Sequence, residues 1–299
     1  MTNWPPEHCI ICGEKDQSEY LTVRDHSISG EDFHIARCKN CGFSSTKDAP
    51  SQEKIGKYYE SEDYISHSDT TKGLIDRAYH WARSFMLRKK KNWVESQCQE
   101  KGELLDIGSG TGYFLNEMKK SGWDVTGIEI NEKARRFSQE EFDVRVYEPD
   151  QLHEFTERSF DVISLWHVLE HVHEINAYWD LFSRLLKEDG VLMIAVPNIQ
   201  SIDSKYYGAY WAALDVPRHL WHFRPEDIVR LAKNHGFQLK NMTGMPLDAL
   251  YVSILSEKYK QHPSAFVRGV GIGLWSNLRA RGAAQMSSVV YVLKKMESS

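Results

Sequence analysis

Apolar and polar positions between residues 101 and 198 follow two alternating patterns. Short apolar segments with the length of buried strands are separated by segments whose apolar residues recur at helical spacing. This alternation is typical of a parallel sheet with helices packed on its faces. The predicted strands are Glu103–Ile107, Asp124–Ile130, Val144–Tyr147, Phe160–Leu165 and Val191–Val196, and the predicted helices are Tyr113–Ser121, Glu132–Glu141 and Ala177–Lys187.

The chain on either side of this core carries further elements. From Asp76 to Val94 apolar residues follow loosely helical spacing, and the basic run at 89–91 is interpreted as a solvated helix face. Beyond residue 199 the patterns predict helices over Arg224–His235 and Ala249–Tyr259 and final strands over Gln238–Met242 and Ser288–Lys294. The sequence therefore predicts a four-cysteine unit at 1–48, a helical lid or linker at 49–100, and a sheet domain at 101–299 with insertions near 199–224 and 260–286.

The composition is that of a folded protein with a full-sized core. The 299 residues are 41% hydrophobic and 26% charged, which excludes wholesale disorder. The net charge of -5 disfavours a general nucleic-acid binder, because such proteins neutralise phosphates with basic residues. The sequence contains neither a run of about 20 apolar residues nor a basic-then-apolar N-terminal leader. We therefore expect a cytoplasmic protein whose cysteines are thiols or metal ligands.

Four cysteines near the N-terminus have the spacing of a metal site. Cys9 and Cys12 form one C-x2-C pair, Cys38 and Cys41 form another, and a glycine follows each pair. Four thiolates make a tetrahedral sulfur site suited to zinc, with no coordination position left open for catalysis. The sequence predicts a structural zinc ribbon, with incidental thiols or a redox pair as the alternatives.

A glycine-rich turn connects the first core strand to the helix that follows it. The residues from Asp106 to Gly112 form the pattern D-x-G-x-G-x-G, and glycines at such a turn allow a ligand to approach the backbone closely. The dinucleotide-binding pattern G-x-G-x-x-G fails, because Tyr113 occupies the position of its third glycine. An acid, Glu129, stands near the end of the next predicted strand.

Together with Glu129, this turn resembles the cofactor loop of the class I S-adenosylmethionine-dependent methyltransferases. Segments at 160–163, 169–172, 185–191 and 196–198 are similar to the fourth- and fifth-strand motifs of that family. The chain is most similar to the branch that includes the ubiquinone-biosynthesis O-methyltransferases and the zinc-bearing sugar C-methyltransferases. The resemblance implies an α/β fold with a doubly wound, mostly parallel, seven-stranded Rossmann-like sheet and an N-terminal zinc ribbon.

The resemblance also implies roles for the residues that match the motif. Glu129 would accept hydrogen bonds from the ribose hydroxyls of S-adenosylmethionine. The backbone at Gly108, Gly110 and Gly112 would pass along the methionine part, and Asp106 would hold the loop or meet the ammonium group. S-adenosylhomocysteine is then the expected product.

Residues outside the loop complete the predicted cofactor site. Asp150 and Gln151 are candidates for the adenine edge, with Glu148 nearly as well placed. Tyr59 and His67 precede the core, where similar segments of the family fold over the cofactor as a lid. Surface packing of these aromatic side chains is the alternative.

Two clusters of polar residues are candidates for the acceptor side. His167 follows the fourth strand, whose carboxyl end should face the pocket. The segment 211–223 contains Arg218, His219 and His222 within a few residues. We predict His219 as the general base, His222 and His167 as further catalytic candidates, and Arg218 as an anion clamp. A hydrogen-bonded loop scaffold is the alternative.

The segment from Lys258 to Met296 contains no acidic residue but several lysines and arginines. It is interpreted as a helical insertion, a contact for an anionic substrate, or a peripheral membrane contact through 260–286. The sequence as a whole predicts a methyltransferase acting by in-line transfer on a small-molecule acceptor such as a sugar, a phenol or a lipid precursor. The alternatives are an RNA or protein methyltransferase that uses the ribbon for recognition, and a non-catalytic cofactor-binding module.

Overall fold

The computed structural model describes residues 4–59 and 74–297, with side chains from residue 80 onward in the second range. The strands are β1 (Gln17–Arg24), β2 (Asp32–Cys38), β3 (Ser44–Thr46), β4 (Glu103–Ile107), β5 (Asp124–Ile128), β6 (Arg145–Tyr147), β7 (Phe160–Trp166), β8 (Leu186–Pro197), β9 (Trp221–His222), β10 (Phe237–Gly244) and β11 (Ser288–Lys295). The α-helices are α1 (Leu74–Glu95), α2 (Tyr113–Lys120), α3 (Glu132–Phe142), α4 (Ile175–Leu185), α5 (Ile202–Tyr207), α6 (Pro225–Asn234), α7 (Asp248–Tyr259) and α8 (Ala265–Arg279).

A seven-stranded sheet forms the centre of the molecule, in the order β10-β11-β8-β7-β4-β5-β6. Strands β4 to β8 pair in parallel, and β11 runs antiparallel to both β8 and β10. The predicted mostly parallel α/β sheet is thus confirmed. Because the strand order reverses between β4 and β7, their carboxyl ends flank the crevice where such sheets bind ligands.

The sheet is buried on both faces, as its continuous apolar strands predict. Neighbouring residues of β4 show this directly, because Leu104 and Leu105 are both fully buried but belong to separate apolar clusters. Successive side chains of a strand point to opposite faces, so the two clusters lie on opposite sides of the sheet. The strands and their carboxyl ends are therefore held rigidly.

The predicted boundaries hold within a few residues, with one clear error. The helix predicted over Ala177–Lys187 ends at Leu185, and β8 begins at Leu186 instead of Val191. Leu186 pairs with Phe160 of β7, and the register of the two strands shifts after this pair. Pairing with β7 therefore extends β8 through the polar residues 187–189, which have no strand pattern of their own. Within the described ranges, each helix is too short or too polar to cross a lipid bilayer.

A second sheet joins the N-terminal unit to the insertion at 199–224. Its order is β1-β2-β3-β9, and β9 pairs antiparallel with β3 at Ser44 and Ser45. The backbone N–H of Thr46 also donates to the carbonyl of Leu220 at 2.9 Å. The strands next to the cysteines therefore share one hydrogen-bonded sheet with the segment that carries the predicted acceptor-side residues.

Candidate active site

The glycine turn lies at the carboxyl end of β4 and has the conformation that its sequence requires. Gly108, Gly110 and Gly112 have φ angles of +71°, +53° and +75°, a region that L side chains rarely adopt. A Cβ atom at Gly108 would lie 2.3 Å from Val168 Cγ2, and one at Gly112 would lie 2.7 Å from Ser138 Oγ. A Cβ atom at Gly110 would meet nothing within 4 Å. The outer glycines are therefore fixed by packing, whereas Gly110 borders open space.

Glu129 follows the end of β5 and is almost fully buried. Its Oε2 accepts the backbone N–H of Gly110 at 2.8 Å, and its Oε1 accepts that of Asn131 at 2.8 Å. Each carboxylate oxygen can accept a second hydrogen bond. Glu129 thus holds the turn and retains the acceptors that a pair of ribose hydroxyls needs.

Asp106 lies inside β4 below the turn and accepts the hydroxyl hydrogen of Ser164 at 2.6 Å. Burial raises the pKa of this carboxyl to about 7, against the lowering effect of Ser164 and Lys90. A cationic group that entered the crevice would favour its ionised form. The ammonium group of S-adenosylmethionine is such a cation.

Lys90 corrects the interpretation of the basic run as a solvated face. Its Nζ lies 4.6 Å from the centroid of the Trp166 ring, and burial lowers its pKa. The groups that counteract this lowering are Asp106 and Asp248, so the amine faces the interior of the sheet domain. Sequence periodicity missed this residue, because the three consecutive lysines give no sign of which one points inward.

His167 lies between two carboxylates at the end of β7. Its Nε2 is 3.0 Å from Asp248 Oδ2 and its Nδ1 is 3.3 Å from Glu170 Oε1. Burial alone would lower the pKa of His167, but the two carboxylates outweigh burial and raise it to about 10. With its pKa raised this far, His167 is a poor proton acceptor at neutral pH, so its place among the catalytic candidates would have to rest on positive charge.

His222 lies in β9 and has a structural role that its sequence position did not reveal. Its Nε2 is 3.0 Å from the hydroxyl of Thr46, which in turn donates to the carbonyl of His219 at 2.8 Å. Burial lowers the pKa of His222 to about 3. The side chain therefore joins strands β9 and β3 of the second sheet, which argues against the catalytic role predicted for it.

His219 is also buried, but it lies next to a second histidine. Its Nδ1 is 2.9 Å from the carbonyl of Ala213, which can only accept, so Nδ1 carries the proton. Burial, followed by His171 and His222, lowers the pKa of His219 well below its usual range. This makes His219 a weak base and argues against the role predicted for it.

His171 contacts Tyr59, the described residue of the predicted lid. Its Nδ1 lies 3.0 Å from the carbonyl of Arg218 and 3.1 Å from the hydroxyl of Tyr59. The ring meets that of His219 edge to face at 4.6 Å. Because the carbonyl can only accept, Nδ1 carries the proton and Nε2 is left as the acceptor.

A buried acid accompanies these two histidines. Glu170 is fully buried, and its Oε1 forms the 3.3 Å ion-pair contact with His167 Nδ1, although among the described residues no group meets hydrogen-bond geometry with either carboxylate oxygen. One ligand atom each from Glu170, His171 and His219 lies within 4.8 Å of the others. A carboxylate in this position stabilises a proton on a neighbouring imidazole. Arg218, the predicted anion clamp, forms an ion pair with Asp215 at the edge of the cluster.

The candidate adenine residues line an open cleft beside Glu129. The cleft has a volume of about 330 Å³ and is lined by residues of α3 and of the segment after β6, including Asp150 and Gln151. Arg135 spans it, donating to the carbonyl of Glu129 at 2.9 Å and to Glu148 at 2.8 Å. Glu148 is thereby engaged, which favours the other two as the adenine contacts. His67 lies outside the described residues.

The four cysteines converge on one point. Their sulfur atoms all lie within 4.8 Å of one another, with Cys9 to Cys41 at 3.5 Å and Cys12 to Cys38 at 3.6 Å. Tetrahedral zinc with Zn–S bonds of about 2.3 Å places sulfur atoms about 3.8 Å apart, so the donor set fits. The glycine after each pair has a positive φ angle, and its N–H donates to the carbonyl of the first cysteine of the pair.

Comparison with known proteins agrees with this geometry. A family model described as a methyltransferase domain matches residues 78–241, more than half of the chain. The ubiquinone biosynthesis O-methyltransferase of Pelagibacter ubique is 29% identical over 163 residues, which cover 50% of this chain and 66% of that protein. The corresponding enzyme of Paramagnetospirillum magneticum is 30% identical over 160 residues, with 49% and 64% covered. The matches thus span just under two thirds of these relatives.

A solved structure shows the same fold. The magnesium protoporphyrin IX methyltransferase of Synechocystis PCC 6803, determined with bound S-adenosylhomocysteine, aligns with a TM-score of 0.53. The alignment covers 80% of this chain and 96% of that protein at 14% sequence identity. At this identity the likeness concerns the sheet and its helices.

Proposed function

The chain belongs to the class I S-adenosylmethionine-dependent methyltransferases, and from this premise we propose that it methylates a small molecule with an acidic hydroxyl. The observation that carries the proposal is the cradle at the carboxyl end of β4. There Glu129 holds Gly110, and Gly110 borders open space. This arrangement fits a nucleoside with an amino-acid tail.

The cofactor supplies an activated methyl group, so the protein mainly provides alignment. In our proposal Glu129 accepts the ribose hydroxyls, and Asp106 pairs with the ammonium group from its buried position in β4. Asp150 and Gln151 contact the adenine edge from the open cleft. The methionine part then runs along Gly108–Gly112, towards the space between the ends of β4 and β7.

On the acceptor side we place His171 as the proton acceptor. Nδ1 of His171 donates its proton to the carbonyl of Arg218, so Nε2 is the ring nitrogen that can accept a proton. Glu170 lies close enough to stabilise the imidazolium that then forms. His219 acts as a positioning residue behind His171, since their rings are in edge-to-face contact. We favour an acceptor with a hydroxyl group, because a histidine base can remove a proton only from a group as acidic as a phenol hydroxyl. Tyr59 would close over the acceptor through its contact with His171.

We further propose that the four cysteines bind one structural zinc ion, and that the chain is organised as units 1–48, 49–100 and 101–299. The geometry of the sulfur atoms supports the metal, and four thiolates leave no position for a substrate. The metal would thus stabilise a small unit that has little core of its own.

The proposal is tested with zinc-loaded full-length protein. S-adenosylhomocysteine should raise the melting temperature of the wild type, and Glu129→Gln should largely abolish this shift. Methyl transfer to ortho-diphenols should then fall by roughly 100-fold in His171→Gln. The control His235→Gln, at the C-terminal cap of α6, should retain wild-type turnover. A wild type that binds the cofactor but does not methylate ortho-diphenols would contradict the assignment of an acceptor with an acidic hydroxyl. An absent thermal shift would contradict the cofactor site itself.

A further inference from the structure

Helix α8 is fixed against α7 by its small residues. A Cβ atom at Gly269 would lie 2.4 Å from Ile254 Cα, and one at Gly273 would lie 2.7 Å from Leu250 Cα. Ser276, one turn further on, donates its hydroxyl hydrogen to the buried carboxylate of Asp203 at 3.0 Å. The two backbones thus meet directly, and the rotation of α8 about its own axis is determined.

The large apolar residues of α8 consequently point away from the protein. Val267 and Leu278 are 72% and 85% exposed, and Phe266, Leu274 and Trp275 also count among the exposed large apolar side chains. These residues recur at spacings that place them on one side of a helix about 22 Å long. Tyr206 of α5 extends the surface through its ring contact with Trp275 at 6.1 Å. We call this surface the α8 face.

The charges around the α8 face are of one sign. Among its exposed cations, Lys260 Nζ lies 5.7 Å from the centroid of the Tyr206 ring and Arg279 ends α8, and Lys258 and Arg281 lie within two residues of these in the sequence. The acid that approaches from α7, Glu257, is fully buried and is paired with Arg268 at 3.1 Å. In a chain with a net charge of -5, this surface is a local reversal of sign.

We propose that the α8 face docks onto the surface of an anionic lipid bilayer, with α8 lying in the interface. A row of large apolar side chains with a cationic rim is the pattern that inserts among acyl chains and attracts anionic headgroups. A second copy of the chain is disfavoured, because a symmetric contact would bring the two cationic rims together. The inference stands apart from the identity of the methyl acceptor, since it uses no residue of the active site.

The test is co-sedimentation of full-length, zinc-loaded protein with phosphatidylcholine vesicles, with and without phosphatidylglycerol. The wild type should bind the anionic vesicles, and added salt should weaken this binding because it screens the rim. The affinity of the double variant Val267→Glu/Leu278→Glu for these vesicles should be lower by roughly tenfold or more. Both positions are so exposed that the fold should tolerate the change, which circular dichroism and the cofactor-induced thermal shift would verify. Trp81→Glu, on the exposed side of α1, is the matched control and should bind like the wild type.

Three outcomes would overturn the proposal. The first is a wild type that stays in the supernatant with anionic vesicles. The second is a double variant that sediments as strongly as the wild type. The third is a wild type that does not bind vesicles but forms a concentration-dependent dimer in light scattering, with the dimer lost in the double variant. That result would assign the α8 face to a second copy of the chain.

Discussion

The carboxyl group of Asp106 is expected to make cofactor binding depend on pH. It is buried in β4, its main partner is the neutral hydroxyl of Ser164, and burial raises its pKa to about 7. If the ammonium group of the cofactor pairs with this carboxylate, the complex holds Asp106 ionised. Binding below pH 7 must then release a proton, and the free energy of that deprotonation is subtracted from the binding free energy.

The size of the effect follows from the pKa. Each pH unit below about 7 costs about 1.4 kcal/mol, so affinity for S-adenosylhomocysteine should fall about tenfold per unit. Between about pH 8 and pH 5.5 the loss is roughly 30-fold, and above about pH 8 the affinity should be nearly constant. The pKa of His167 is raised to about 10 and that of His222 is lowered to about 3, so neither group titrates in this window.

Isothermal titration calorimetry would measure this dependence directly. Titrations with S-adenosylhomocysteine in two buffers of different ionisation enthalpy give both the dissociation constant and the number of protons released. The control, Asp106→Asn, has no titrating group and should bind weakly at all pH values in this range. A wild-type dissociation constant that is flat from pH 5.5 to pH 8, without proton release, would refute the pairing of Asp106 with the ammonium group.

Three further predictions concern the loop, the sheet contact and the metal. Gly110→Ala should cost only about 1–2 kcal/mol of folding stability but should abolish the thermal shift with S-adenosylhomocysteine. Gly112→Ala, whose new methyl group would clash with Ser138, should lower the melting temperature more. Equal cofactor affinity in Gly110→Ala and wild type would contradict the proposal that the cofactor lies against Gly110. His222→Ala should destabilise the protein by about 1–3 kcal/mol without changing kcat at low temperature, and a lower kcat at unchanged melting temperature would show a catalytic role instead. Chelation of zinc, or Cys12→Ser, should lower the melting temperature and should raise KM for the acceptor more than Kd for the cofactor. If metal analysis finds no zinc in the protein and its stability is nevertheless unchanged, a structural zinc site is excluded.

The sheet and the cofactor loop could be predicted because their signals are local. The strand Glu103–Ile107 is a short apolar run that ends in a glycine turn, and its observed bounds are the predicted ones. The cysteine spacing likewise brings four sulfur atoms together. In each case a few neighbouring residues determine the conformation, so tertiary context adds little.

The acceptor side could not be predicted in the same way, because its chemistry depends on partners remote in sequence. His167 becomes a cation through Asp248, which lies 81 residues further along the chain. Burial lowers the pKa of His222, whose ring lies beside Thr46 of the neighbouring strand, 176 positions away in the sequence. The cluster of histidines in the sequence therefore indicated where polar contacts form. The pKa of each ring, and with it the ability to accept a proton, depends on burial and on partners that the sequence does not reveal.

The cysteine unit contacts the segment 211–224, so a zinc ion bound by the four cysteines would do more than stabilise that unit locally. Arg224 donates to the carbonyl of Cys41 at 2.6 Å and is paired with the fully buried Asp227 at the start of α6. On the other side of the loop, Thr46 donates to the carbonyl of His219. The segment with Arg218 and His219 is thus held between the four-cysteine unit and helix α6 of the sheet domain. The cofactor cradle of β4 and β5 shares none of these contacts, so loss of the metal should loosen the acceptor side first.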